Sequence, residues 1–287
     1  MNKKRILITG KESYIGTNFE KWVNNWSNQY DVEKISVRND GWKQQDFSKY
    51  DVVLHVAGIA HVSADPKMEE MYYKINRDLA INIAGKAKKE NVKQFIFMSS
   101  MIIYGADGKL GESKIITAET EPSPIDFYGR SKLEADLAIQ KMNSNNFKTV
   151  MVRTPMVYGP NCRGNFPRLK TLAEKSPIFP EISNERSMIF IDNLCEFLKI
   201  VIDKELDGVF FPQNKEYVST KDIINLMAIN MNKKVHFIKI FNPVIKIMSK
   251  KINVVNKVLG NKAYDKKLNP EFDYCVVDFE TSIKISM

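Results

Sequence analysis

Short apolar runs separated by stretches with helical spacing organise the first half of this 287-residue chain. Arg5–Thr9, Val32–Val37, Val52–Val56, Phe95–Ser99 and Thr149–Arg153 are rich in Ile, Val, Leu and Phe, without strict polar alternation. Continuous apolar content of that length suits strands covered on both faces, as in a parallel sheet with crossover helices. Helical patterns fill the gaps at Tyr14–Asn25, Pro66–Asn91 and Tyr128–Asn143, and the alternation predicts an α/β fold.

After Arg153 the pattern loosens. Gly105, Gly108, Gly111, Pro122 and Pro124 mark Gly105–Ile125 as a surface loop, and Pro155, Gly159, Pro160, Gly164 and Pro167 mark another long loop. Beyond it the spacing predicts a strand at Ser187–Ile191, a helix at Asp192–Asp203, a strand at Val209–Phe211 and a helix at Thr220–Asn230. Pro243–Leu259, carrying Lys246, Lys250, Lys251 and Lys257, has the spacing of an amphipathic helix and is expected to pack on the smaller domain with its lysines in water.

The first strand runs into Thr9-Gly10-Lys11-Glu12-Ser13-Tyr14-Ile15-Gly16, a Gly-rich turn that opens a helix. Gly10 suits the tight turn, Gly16 suits close packing of helix on strand, and the helix N-terminus can receive a pyrophosphate. Ser13 stands where such loops usually carry a second glycine. The expected fold is a Rossmann-type doubly wound parallel sheet over residues 1–160, to which about 187–212 also contributes, with a smaller α/β substrate domain over 161–287. The second strand ends near Arg38, where an acidic residue would bind the ribose hydroxyl of NAD; an arginine there favours NADP(H), with NAD(H) the alternative. Asp46, Phe47, Ala57 and Gly58 are candidate adenosine-side contacts.

Tyr128 and Lys132 lie one helical turn apart and so share a face. A neighbouring cation favours phenolate, so the lysine is expected to draw the phenol toward neutral working pH. The strand Phe95–Met98 delivers Ser99 and Ser100 shortly before them. Nucleotide loop, serine, then Tyr-x-x-x-Lys reads as hydride-transfer chemistry.

Composition adds little to that picture. Hydrophobic residues make up 44% and charged residues 27%, ordinary for a globular chain, and the net charge of +9 is spread over scattered lysines. That spread argues against nucleic acid as partner, though it favours an anionic substrate. Cys162, Cys195 and Cys275 lack metal-type spacing and fit a reducing cytoplasm; no run is long enough for a membrane span. The histidines give no metal site: His55 reads as a core residue, His61 lies in a loop, and His236 has no evident partner.

Together these residues resemble the extended short-chain dehydrogenase/reductase family, the NAD-dependent epimerase/dehydratase group acting on nucleotide sugars. The likeness is carried by Thr9-Gly10…Gly16, Asp46-Phe47, Val56-Ala57-Gly58, Asn76, Ser99 to Gly105, Tyr128…Lys132, Arg153-Thr154-Pro155…Tyr158-Gly159-Pro160 and Arg186…Ile191-Asp192-Asn193. It implies that Tyr128 is the general acid/base, that Lys132 binds the nicotinamide ribose, that Ser100 bonds the reacting oxygen and that Pro155 borders the nicotinamide. It implies also that Arg186 clamps a substrate diphosphate, that Asn165 and Arg168 line the sugar pocket, and that the protein is a homodimer. Met101-Ile102 stand where the dehydratases of the family carry Asp-Glu, which argues against dehydration, and Met156 replaces an asparagine typical of hexose epimerases. A closer likeness is to 4-keto-reductases of surface-polysaccharide clusters, which reduce a UDP-2-acetamido-2,6-dideoxy-4-hexulose. A UDP-sugar 4-epimerase with tightly held NAD is the alternative.

Overall fold

The computed structural model describes residues 3–60, 65–243, 245, 256 and 259–287. His61 and the four lysines of the helix expected over 243–259 lie outside the described residues. In chain order the first elements are β1 (Lys4–Thr9), α1 (Tyr14–Val23), β2 (Tyr30–Ile35), β3 (Val52–His55), α2 (Glu69–Tyr72), α3 (Leu79–Lys89) and β4 (Gln94–Ser100). There follow β5 (Ile115–Ile116), α4 (Phe127–Gln140), β6 (Lys148–Thr154), β7 (Met156–Tyr158), α5 (Asn165–Lys175), β8 (Ile178–Pro180) and β9 (Met188–Phe190). The last are α6 (Ile191–Asp203), β10 (Gly208–Phe210), α7 (Thr220–Asn230), β11 (His236–Ile238), β12 (Ala263–Tyr264) and α8 (Phe279–Ile285).

The chain divides into two compact units. One comprises Met1–Gly105, Glu121–Thr154 and Leu194–Pro212; the other comprises Ala106–Thr120, Pro155–Asn193 and Gln213–Met287. The first holds a parallel sheet in the order β10-β6-β4-β3-β1-β2. Strand order reverses at β1, which pairs with β2 on one side and β3 on the other. Loops leaving the carboxyl ends of β1 and β3 therefore diverge around a crevice, the usual ligand position in such sheets.

Burial explains why the strands read as unbroken apolar runs. Every residue of β3 is buried, and in β4 only Ser100, the last, emerges. On α3, Ala80, Ala84 and Ala87 are fully buried with Ile83, so small side chains bring that helix close to Phe95 and Phe97 of the sheet. Expected strands and helices in this unit appear within a few residues of their boundaries. The stretch expected as one helix over 66–91 is broken instead: a 3-10 turn at Pro66–Met68, then α2, then a π-helical turn at Tyr73–Asp78, then α3. A π turn inserts an extra residue and re-aims the side chains that follow, which is why such turns recur at functional sites.

The second unit is built from short parallel pairs: β7 with β9, β8 with β11, and β5 with β12. Two loop expectations are corrected here. The stretch read as one long loop over 155–167 contains β7 and the first turn of α5, so Asn165 and Arg168 are helical. Gly164, at a φ of +99°, sets off the helix, and Phe166, Leu169 and Ala173 give it a buried face. Pro167 is compatible with that first turn, where backbone N–H groups have no intrahelical acceptor anyway. Likewise the loop over 105–125 contains β5, whose partner β12 lies far downstream and leaves no local pattern to read.

Candidate active site

Local chemistry fixes the nucleotide loop. Gly10 and Lys11 both donate backbone N–H to Ile35 O at 3.0 Å, tying the turn to the end of β2. Gly10 has a φ of +120°, and a side-chain carbon there would stand 3.0 Å from Ala57 N, so only glycine fits. Ser13 is the N-cap of α1: its hydroxyl accepts the N–H of Gly16 at 3.1 Å. This is the physical reason a serine replaces the expected glycine, because it satisfies a helix N–H that glycine would leave open. Tyr14 and Ile15 begin the helix behind it, and the remaining first-turn N–H groups point where a phosphate would be held. The tight Gly10–Ala57 approach leaves this cradle lined by backbone, and the residues present fit a dinucleotide.

The candidate reacting groups stand in the same unit. Ser100 ends β4 and Tyr128 lies in the first turn of α4, with Asp126 as N-cap accepting the Gly129 N–H at 2.7 Å. Ser100 lies close enough to the Tyr128 phenol to act on its ionisation. Burial pushes the Tyr128 phenol up to about 12, and the Ser100 contact pulls against that rise. The expected lowering by Lys132 is not found: loss of solvent sets the phenol's shift, and the groups that act on it are Ser100, Tyr72 and Asp126. Lys132 is 6% exposed; its ammonium donates to Met98 O at 2.8 Å and lies 4.6 Å from the Phe97 ring centroid. Burial draws Lys132 down to about 8, with Asp136 opposing the shift.

Two glycine-sized gaps connect the loop with Lys132. Ala57 abuts Gly10, and a carbon added to Gly58 would lie 3.0 Å from Asn76 Oδ1 and 3.4 Å from Lys132 Nζ. The loop after β3 thus runs from the phosphate cradle to the lysine. Asn76, carried by the π turn and fully buried, pins it by accepting the Ile59 N–H at 2.9 Å and donating to Ile59 O at 3.0 Å. His55 is a core residue, as read: its Nδ1 meets Thr9 Oγ1 at 2.7 Å, and burial with the nearby Lys132 charge draws it to about 3, so it stays neutral.

Other expected cofactor contacts are placed less uniformly. Arg38 is 80% exposed and pairs with Glu12 of the nucleotide loop at 2.8 Å, so loop and second-strand arginine are adjacent. Asp46 is exposed and held low by its hydrogen bonds to Ser48. Phe47 is fully buried in the core, so its side chain is not presented to the crevice.

Sequence reasoning overlooked the pair behind Lys132. Asp136, one turn further along α4 and fully buried, takes Arg153 Nε at 3.1 Å and Nη2 at 2.9 Å, and Arg153 also donates to Tyr104 Oη at 2.6 Å. The signal was present, since an arginine at the end of an otherwise apolar strand needs a buried counter-charge. In the second unit Pro155 is buried after β6, while Asn165 and Arg168 are exposed on the first turn of α5. Arg186 is half-buried, donating to Gly260 O at 2.9 Å and to Asp107 at 3.1 Å.

Comparison with known proteins agrees with this arrangement. Residues 6–210 match the NAD dependent epimerase/dehydratase family. A UDP-glucose 4-epimerase of Vibrio cholerae is 31% identical over 255 residues, covering 80% of this chain and 76% of its own. An N-acetyl-alpha-D-glucosaminyl-diphospho-ditrans,octacis-undecaprenol 4-epimerase of Escherichia coli O157:H7 is 23% identical, covering 90% of this chain and 81% of its own. A UDP-glucuronic acid 4-epimerase from Bacillus cereus, solved with NAD, shares the fold with a TM-score of 0.71 at 19% identity, over 98% of this chain and 97% of that one. A Gly-rich turn, a serine at the carboxyl end of a central strand and a Tyr-x-x-x-Lys helix lie in one unit, and by sequence the chain belongs to the NAD-dependent epimerase/dehydratase family.

Proposed function

We propose that this protein is a nucleotide-sugar oxidoreductase that reduces the C4 keto group of a UDP-2-acetamido-2,6-dideoxy-4-hexulose for surface-polysaccharide synthesis. The observation that carries the reading is the juxtaposition of Ser100 at the end of β4 with a buried Tyr128 phenol kept protonated, and Lys132 a turn away bonded to Met98 O at 2.8 Å. A protonated phenol is ready to donate, as an emerging alkoxide at C4 requires. Ser100 would bond the same oxygen and steady its charge. Lys132, charged below about 8, would bind ribose hydroxyls and favour the phenolate left after donation. The nicotinamide, when bound, supplies the hydride. Side chains after Ser100 support reduction over dehydration, because Met101 and Ile102 can exchange no proton.

Within this reading Gly10, Ser13, Gly16, Ala57 and Gly58 hold the cofactor, and Arg38 favours its 2′-phosphorylated form. Asn165, Arg168 and Arg186 belong to the substrate side. Met71 and Leu137 on α2 and α4, exposed by 47% and 46%, suit the homodimer that the family resemblance implies. The test is NADPH consumption with a 4-keto UDP-sugar. Turnover lost in Tyr128→Phe supports the reading, and turnover no greater than that of Tyr128→Phe ends it.

One observation favours a second reading, a UDP-sugar 4-epimerase: the 31% identical relative carries that name. An epimerase removes a hydride and returns it to the other face, so it gains from retaining NAD through purification. Ready exchange of NADPH selects the reductase, and NAD that copurifies and resists dialysis selects the epimerase.

A further inference from the structure

Arg153 stands on β6 beside Ser99, one residue short of the position opposite Ser100. From there it reaches two other elements of the first unit at once. Its Nε and Nη2 make a paired contact with Asp136 on α4, and its Nη1 donates to Tyr104 Oη at 2.6 Å. Tyr104 ends the 3-10 turn Met101–Tyr104, and Ser100 caps the start of that turn by accepting the Ile102 N–H at 3.2 Å. Asp136 also takes Gln140 Nε2 at 2.5 Å, so both of its oxygens are engaged. The Tyr104 and Phe211 rings flank the guanidinium, with centroids 5.6 and 5.7 Å from its central carbon, and Arg153 is left only 8% exposed.

We propose that Tyr104, Arg153 and Asp136 are positioning residues, a buried chain of hydrogen bonds that sets the separation between Ser100 and the face of α4 bearing Tyr128 and Lys132. This inference rests on the reading of Ser100, Tyr128 and Lys132 as the reacting set, and it applies to reductase and epimerase alike. Lys132, through Met98 O, ties α4 to β4, and Asp136, one turn further on, ties it to β6. Two attachments hold the helix against both sliding and rolling, whereas one would leave it free to pivot. On the other side, the turn that Ser100 caps spans Met101–Tyr104 only, so a shift of Tyr104 is passed to its capped end. A paired guanidinium–carboxylate contact is directional, while apolar packing of the same volume tolerates slippage. The cost of burying these charges is thereby matched by a fixed geometry, and misplacing reacting groups by about 1 Å can slow a reaction roughly 100-fold. None of the three side chains has to touch substrate to act in this way.

Comparing thermal stability with turnover in the full chain tests this. The double replacement Asp136→Leu with Arg153→Met fills similar space without charge and should melt above Asp136→Asn. Its kcat should nonetheless stay roughly 100-fold down, with the sugar KM within about threefold of wild type. A merely structural pair would regain turnover together with stability. Tyr104→Phe keeps the ring and deletes the acceptor of Nη1, so kcat should fall about tenfold, the scale of one hydrogen bond to a charged group. Wild-type kcat in either folded variant, or a loss carried wholly by KM, overturns the proposal; should the double replacement not fold, Tyr104→Phe decides alone. If wild-type protein turns over neither a 4-keto UDP-sugar nor a UDP-sugar epimer, the functional reading falls and NADPH affinity becomes the test. Lys132 rides on the same helix, so Tyr104→Phe should weaken NADPH severalfold, and unchanged affinity overturns the proposal.

Discussion

Lys132 gives its ammonium to the carbonyl oxygen of Met98, at 2.8 Å, while Tyr128 one turn earlier is engaged with Ser100. The carboxyl end of β4 thus holds Lys132 through its backbone and sets its last side chain, Ser100, beside Tyr128. The lysine is anchored before any ligand arrives, with two further N–H bonds to give. The phenol keeps its proton because burial outweighs the polar contacts around it.

Burial of Lys132 has a signed consequence for pH. Its value near 8 lies below that of a free lysine, so between about 8 and ~10.5 the folded state holds fewer protons than the unfolded chain. This group's contribution to stability therefore rises with pH in that window, while the ammonium that the proposed function assigns to ribose binding is lost. Turnover should fall through an alkaline limb near 8. Lys132→Met should abolish most turnover yet melt higher than wild type at pH 7, with the difference shrinking by pH 10. A melting difference that grows with pH contradicts the assignment.

Asp136 and Arg153 are buried together, so removing one strands the other. Asp136→Asn should cost about 3–5 kcal/mol in urea unfolding, the usual scale for an uncompensated buried charge. A double replacement, Asp136→Leu with Arg153→Met, should recover part of that loss. A single-variant cost below about 1 kcal/mol would show that solvent reaches the pair.

Arg38 and Glu12 form an exposed pair beside the nucleotide loop. Arg38→Ala should weaken NADPH by roughly 10- to 100-fold, the worth of a charge-assisted phosphate contact, and leave NADH within about twofold. Glu12→Gln should strengthen NADPH by freeing the guanidinium and removing a like charge. Equal effects on both nucleotides, measured by fluorescence titration, would assign Arg38 no role at the 2′ position.

Ser13 separates capping from phosphate approach. Ser13→Gly should cost only a few tenths of a kcal/mol, since glycine is itself an acceptable cap, and should keep cofactor affinity. Ser13→Val should cost about 1 kcal/mol and lose affinity, because it deletes the acceptor for Gly16 N–H and crowds the loop. Thermal melts with and without cofactor distinguish the two.

Much of the fold was legible because strands covered on both faces must be apolar through their centres, as Ile6–Ile8, Val52–Leu54, Phe95–Met98 and Val150–Val152 are. The i, i+4 placement of Tyr128 and Lys132 is likewise local, fixed by helix geometry once α4 forms. Elements whose support comes from far along the chain were not legible. β5 exists through β12, β7 through β9, and the first turn of α5 through a buried face that a proline and glycines disguise.

By itself the amino-acid order determined the α/β alternation, the Gly10–Gly16 turn and the spacing of Tyr128 and Lys132, because each depends on residues close in sequence. Tertiary structure decided the protonation balance of those two side chains, the Asp136–Arg153 pair and the meeting of Asp107 with Arg186 and Lys262. Charge and solvent exclusion act through space, so side chains distant in the chain set each other's ionisation only once packing has brought them together.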